Sequence, residues 1–97
     1  MYGTIAKMRV KAGMEAEFLR VAQVTESVPV PGVLAVYVYQ MDTDSRDYYM
    51  TVVFDSKESY VANAQSPDQH QRFLQMMTVL DSEPEWHDGT VVFANVT

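Results

Sequence analysis

The segment that most restricts how this chain can fold is Val33-Leu34-Ala35-Val36-Tyr37-Val38-Tyr39-Gln40-Met41. It is rich in β-branched and aromatic residues, which favours a strand, and it is apolar at both odd and even positions. Side chains of a strand point alternately to opposite faces, so both faces here need an apolar cover. The chain has 97 residues and no cysteine. A domain of that size hides only about 60–65% of the surface its unfolded chain exposes, and no disulfide compensates. The expected solution is that the chain's own helices cover one face and a second copy of the chain covers the other.

The surrounding sequence fixes the rest of the order. Val28-Pro29-Val30-Pro31-Gly32 cannot continue a helix, because proline lacks the donor and clashes with the preceding turn. The polar connector from Asp42 to Asp47 leads into a second strand, Tyr48 to Phe54, which closes a hairpin with the first. Upstream, Tyr2 to Val10 alternates Tyr2, Thr4, Ala6, Met8 and Val10 against Ile5, Lys7 and Arg9, a strand with one drier face. After Lys11-Ala12-Gly13, the residues Met14, Phe18, Val21, Ala22 and Thr25 recur at helical spacing and predict a helix of about 14 residues.

Downstream, Ser56 is placed to cap a short helix carrying Tyr60, Val61 and Ala64. Ser66-Pro67-Asp68-Gln69 restarts the helix with a cap, a first-turn proline and a capping-box glutamine. Phe73, Met76, Met77 and Leu80 form its apolar stripe, Asp81 to Asp88 reads as an acidic loop, and Gly89 leads into a last strand over Thr90 to Val96. The whole of residues 1–97 is then one domain of order β-α-β-β-α-β. Right-handed crossovers of that order give a four-stranded antiparallel sheet with the helices on one face, the ferredoxin-like α+β arrangement.

Thirteen acidic against seven basic residues give a net charge of −6. A field of that sign repels phosphate backbones and anionic lipid surfaces, so neither nucleic acid nor a membrane is an expected partner. Lys7, Arg9 and Lys11 share one strand face and read as a solvated strand end. The sequence holds no apolar run of membrane-spanning length and no basic-then-apolar leader, and a cytoplasmic location is expected. Without cysteine there is no thiolate nucleophile, iron-sulfur cluster or thiolate zinc site, and two histidines cannot make an all-histidine metal site within one chain. Phosphate-loop and nucleophile-elbow motifs are missing too, and no cofactor is expected.

His70 is the first candidate for chemistry. It precedes Phe73 by three and Met77 by seven, which places it on the inward stripe of the broken helix. Tyr60 and Asn63 are spaced to face inward from the preceding helical piece, and the break at Ser66-Pro67 angles the two pieces around a shared pocket. Two readings of His70 stand: a general base, or a core histidine bonded to a backbone carbonyl. In Trp86-His87-Asp88, Trp86 is either a stacking lid over an aromatic ligand or an anchor for the loop, and His87 is either oriented by Asp88 or solvated. Tyr37 and Tyr39 share one sheet face, which either meets a ligand or fills a dimer interface. Met77, like Met50 and Met76, suits an adaptable apolar cavity as well as ordinary packing.

The chain resembles the antibiotic biosynthesis monooxygenase-like family. The resemblance is carried by Val10-Lys11-Ala12-Gly13-Met14-Glu15, Pro31-Gly32-Val33, Val53-Phe54-Asp55-Ser56-Lys57-Glu58-Ser59-Tyr60 and Ser66-Pro67, which together span nearly the whole chain. It implies ferredoxin-like protomers that pair into a dimeric α+β barrel, within a superfamily of mixed function. The haem-degrading branch wants an asparagine, a tryptophan and a histidine where this chain has Ala6, Asn63 and Phe73, so haem chemistry is not expected. The phenol and quinol oxygenases imply a base, donors that hold the resulting anion, and a dry cavity in which the substrate passes an electron to oxygen.

On this resemblance the expected function is a cofactor-independent monooxygenase of a small aromatic, quinol or polyketide-like phenol. His70 and Asn63 would act on it, and Tyr60, Phe73, Met77, Tyr37 and Trp86 would contact it. The alternative is a non-catalytic homodimer of the same fold that binds a small molecule or serves a stress response.

Overall fold

A computed structural model describes residues 1–25 and 28–97. The elements run β1 (Tyr2–Arg9), α1 (Glu15–Thr25), β2 (Val33–Gln40), β3 (Asp47–Phe54), α2 (Lys57–Ala64), α3 (Pro67–Met77) and β4 (Glu85–Thr90). The last part of the expected fourteen-residue first helix lies outside the described residues. The four strands form one antiparallel sheet in the order β2-β3-β1-β4, the ferredoxin-like α+β arrangement.

β1 and β3 occupy the centre, and their alternation decides which face the helices take. Thr4 lies opposite Val52 and Asp88, Ala6 opposite Met50 and Trp86, and Met8 opposite Tyr48. Thr4, Ala6, Met8 and Tyr48 are all buried, while Ile5 and Lys7 between them are exposed. The drier face read from the sequence is therefore the helix face. At one end of it the core closes tightly around Met8, Val10, Phe18, Tyr48, Val79 and Leu80. The Phe18 and Tyr48 rings meet with centroids 4.6 Å apart and planes tilted by 47°.

Leu80 reaches this core by a different route from the helical stripe expected of it. α3 ends at Met77 with Thr78 as its C-cap. The chain then bridges β1 beyond its end: Val10 pairs with Leu80, Lys11 N donates to Val79 O at 2.9 Å, and Asp81 N donates to Arg9 O at 2.8 Å. The loop ends are tied by charge as well. Arg9 Nη1 donates to Asp44 at 2.8 Å and to Asp47 at 2.7 Å, and Arg46 binds Asp81 and the Val10 carbonyl.

The last strand also differs from expectation. β4 covers Glu85–Thr90, the stretch read as loop, whereas the apolar Thr90 to Val96 run continues the sheet only as far as a bond from Val91 N to Met1 O at 3.0 Å. A strand needs a partner for its backbone groups, and the partner that β1 provides runs from Tyr2 to Lys7. Pairing from Tyr2↔Thr90 to Lys7↔Glu85 thus outweighs the propensity of the later residues. Val92, Phe93 and Val96 are left more than 80% exposed.

β2 lies at the sheet edge, and within the chain only one of its faces is covered. Leu34, Tyr37 and Tyr39 are each more than half exposed. The strand enters through Gly32, whose φ of 86° is strained for any other residue. A Cβ there would stand 2.5 Å from the Ser59 Cβ and 3.0 Å from an Asp55 carboxylate oxygen, so the turn is pressed directly onto the start of α2. Asp55 N donates to the Gly32 carbonyl at 2.8 Å, which fixes the contact.

Candidate functional site

Beyond the closed core, the same sheet face opens into a cavity of about 390 Å³ between β1, β3 and β4 below and α2 and α3 above. That size lies within the roughly 300–1,000 Å³ of small-molecule sites. Its floor is mostly apolar, made by Met50, Val52, Phe54 and Trp86, with Thr4 among them and Phe73 above. Most of its polar residues come from the two helical pieces. Ser66 Oγ accepts from Gln69 N at 3.1 Å and Ser56 Oγ from Ser59 N at 3.1 Å, so each piece has its own cap and the two need not share an axis. The break at Ser66 directs Asn63 at the end of α2 and Gln69 and Arg72 at the start of α3 into one space.

Those three side chains form a closed network. Asn63 Nδ2 donates to Gln69 Oε1 at 3.3 Å, Arg72 Nε donates to the same oxygen at 3.2 Å, and Arg72 Nη2 donates to Asn63 Oδ1 at 3.1 Å. Each member is half-buried. Because each amide oxygen accepts from the guanidinium, the network also fixes the orientation of both amides.

A second polar pair stands on the sheet side. Tyr60 Oη donates to Asp88 Oδ1 at 2.8 Å. The ring packs against Tyr2 and edge-on to Phe54, with centroids 5.3 and 5.4 Å away. Burial, reinforced by the Asp88 carboxylate, pushes the Tyr60 hydroxyl up to about 12. Tyr60 is therefore a protonated donor at neutral pH and not a base.

Of the residues singled out from the sequence, Tyr60, Asn63, His70, Phe73 and Trp86 line this cavity. Two others do not. Tyr37 stands on the opposite face of the sheet, because β2 alternates and its Val36 and Val38 take the helix side opposite Val52 and Met50. Met77 packs against the closed core beside the cavity.

His70 lines the cavity but is exposed, and so it sits at the rim and not on the inward stripe of α3. The half-buried residues of that helix are Gln69, Arg72, Phe73, Met76 and Met77. His87 lies on the outer sheet face with Nε2 2.8 Å from Glu85 Oε1, so adjacent positions send Trp86 into the cavity and His87 away from it. Among the described residues, no three metal-ligating side chains gather.

Gln69 and Arg72 are the site residues that sequence reasoning missed. The signal was present: positions 69, 72, 73, 76 and 77 are one helical stripe, but two polar residues in it do not register when only apolar residues are counted.

The chain is thus a ferredoxin-like domain with a half-polar cavity between sheet and helices, and comparison with known proteins gives its family. The sequence profile described as antibiotic biosynthesis monooxygenase matches residues 1–76, and the chain belongs to that family. No curated protein matches the chain. Among solved structures, a protein of Chloroflexus aurantiacus J-10-fl that carries the same family name is 26% identical, with a TM-score of 0.80 over 98% of this chain and 96% of its own. A Bordetella bronchiseptica protein of that name is 18% identical, with a TM-score of 0.83 over 95% and 97% of the two chains. SnoaB, a cofactor-independent oxygenase from Streptomyces nogalater, is 15% identical, with a TM-score of 0.83 over 96% and 94%. At these identities the last two establish likeness of fold.

Proposed function

We propose that the chain is a cofactor-independent monooxygenase of a small aromatic phenol or quinol, and that it works as a homodimer. The observation that carries the reading is the cavity itself, with an apolar floor suited to an aromatic ring and a polar wall whose donors are held in place. His70 at the rim takes the phenolic proton, the task for which imidazole is the usual side chain. Asn63 uses one amide N–H on Gln69 and has the other for the phenolate oxygen. The electron-rich anion then reduces dioxygen. For an anthrone-like CH₂ group the balance is R₂CH₂ + O₂ → R₂C=O + H₂O: two C–H bonds break, a C=O bond forms, and the substrate itself supplies the electrons.

Oxygen-electrode assays over a panel of quinols and anthrones test this. Wild-type protein consumes oxygen with at least one of them, His70→Ala lowers the rate by on the order of 10²–10⁴, and His87→Ala leaves it unchanged. Loss of rate in His87→Ala instead would move the chemistry to the outer face. A second reading, a ligand-binding homodimer without catalysis, is favoured by the exposure of His70, whose side chain makes no hydrogen bond that would set its tautomer among the described residues. Absence of turnover across the panel would select it.

The dimer rests on the outer face, where Ile5, Tyr37 and Tyr39 are about half exposed. Sedimentation at micromolar concentration is expected to give twice the monomer mass, and Tyr37→Glu to return it to the monomer.

A further inference from the structure

The four arginines of this acidic chain are not treated alike. Arg9 pairs with Asp44 and Asp47, Arg20 with Glu17, and Arg46 with Asp81. Arg72 has only the neutral oxygens of Asn63 and Gln69 among the described residues, and it is also the arginine that lines the cavity. Thirteen carboxylates were available to the chain, and among the described residues none is placed on it.

The two amides engage one edge of the guanidinium, the edge made by Nε–H and the neighbouring N–H of Nη2. They hold the plane of the group while leaving its end-on edge, one N–H from Nη1 and one from Nη2, without a protein partner among the described residues. Two parallel N–H groups at that spacing match the two oxygens of a carboxylate. We propose that Arg72 is a carboxylate-docking group, and that the ligand of this cavity is an aromatic acid whose ring lies on the Val52, Phe54 and Trp86 floor.

The other charge lining the cavity supports a single orientation. Asp88 is on the sheet and accepts from Tyr60. It repels an anionic end, so the acid is turned toward α3 and its ring toward the sheet. The amide oxygens keep the guanidinium positioned without neutralising it, which a protein carboxylate in their place would do. This inference rests on the cavity being the ligand site, a premise common to the catalytic and the binding readings.

Trp86 is the only tryptophan of the chain and lines the same cavity, so its fluorescence reports occupancy. The probes are 4-phenylbutyrate and its uncharged amide, titrated into the full chain at neutral pH. Wild type is expected to bind the acid about tenfold to a hundredfold more tightly than the amide, the range for a charge-assisted bidentate contact. In Arg72→Gln the acid should bind no more tightly than the amide, and Arg72→Lys should keep part of the preference. Equal binding of acid and amide by wild type, a preference that survives in Arg72→Gln, or no binding of the acid would each overturn the proposal. The comparison within wild type requires no variant to fold. Oxygen uptake is a separate readout: acid preference without turnover retains the docking group and removes the monooxygenase, and turnover of neutral phenols without acid preference does the reverse.

Discussion

The two ends of the helix-covered sheet face are built on the same pair of central strands, yet one is solid and the other hollow. At the α1 end, Phe18, Ala22 and Thr25 are buried, and Phe18 joins the core of Met8, Val10 and Tyr48. At the other end, neither α2 nor α3 buries a residue fully, and the space beneath them is the cavity. The contrast lies in what the helices present. α1 sends down an aromatic ring and small groups that interdigitate with the sheet. α2 and α3 send down Asn63, Gln69 and Arg72, which bind one another and cannot be pressed into an apolar floor without losing those bonds. Stability is concentrated at one end, and at the other a polar network keeps helix and sheet apart.

Matched truncations put the largest strain on this contrast. Phe18→Ala at the solid end should cost about 3–5 kcal/mol, the range for deleting a fully buried phenylalanine side chain. Phe73→Ala, whose ring is half-buried beside open space, should cost only about 1–2 kcal/mol while enlarging the cavity. Urea denaturation of both variants measures the difference. Equal losses would mean that the cavity end is packed as tightly as the core.

A smaller effect compares the tyrosines of the two ends by pH. Both hydroxyls are raised above the ordinary tyrosine value, and burial is the leading cause at each. At Tyr48 burial dominates and Glu15 adds to it, opposed by the Gln40 Nε2 donor 3.0 Å away. At Tyr60 burial also leads, but the Asp88 carboxylate that accepts its proton reinforces it. A group whose folded pKa lies above its unfolded value contributes stability that is complete below the unfolded value and lost as pH rises through the folded one. For Tyr60 that window runs from about 10 to about 12. Urea midpoints should therefore fall across this window, and fall less steeply in Tyr60→Phe. Ultraviolet titration of Asp88→Asn should show one tyrosine ionising closer to pH 10. If Tyr60→Phe declines like wild type, the folded state does not favour the protonated phenol.

Where the sequence was legible, it was so because local pattern and tertiary demand agreed. The alternation of Tyr2 to Val10 marked a drier face, which is the one the helices cover, and the two serine caps located the break that shapes the cavity. Legibility failed where a residue's role depends on a partner distant in sequence. Glu85–Thr90 has the composition of a loop and becomes a strand because β1 has a free edge. Leu80 continues a helical period but is held by Val10. Arg72 shares a helical stripe with Gln69, Phe73, Met76 and Met77, but its role comes from two amides three and nine residues back, and Arg9, Arg20 and Arg46 hold their carboxylates elsewhere. His70 shows the limit of periodicity, since a position on the flank of a helical stripe shares its spacing without sharing its burial.

The Gly32 turn bears on how such a cavity can change over generations. Because that turn is pressed against Ser59 and Asp55 with no room for a side chain, α2 can neither slide along the sheet nor lift from it without breaking the entry to β2. The height of the α2 wall above the floor is thus a fixed dimension of the scaffold. A different cavity volume must come from exchanging individual lining residues such as Met50 or Phe73, so the hollow can change over generations only in discrete, single-residue steps while the frame around it is inherited whole.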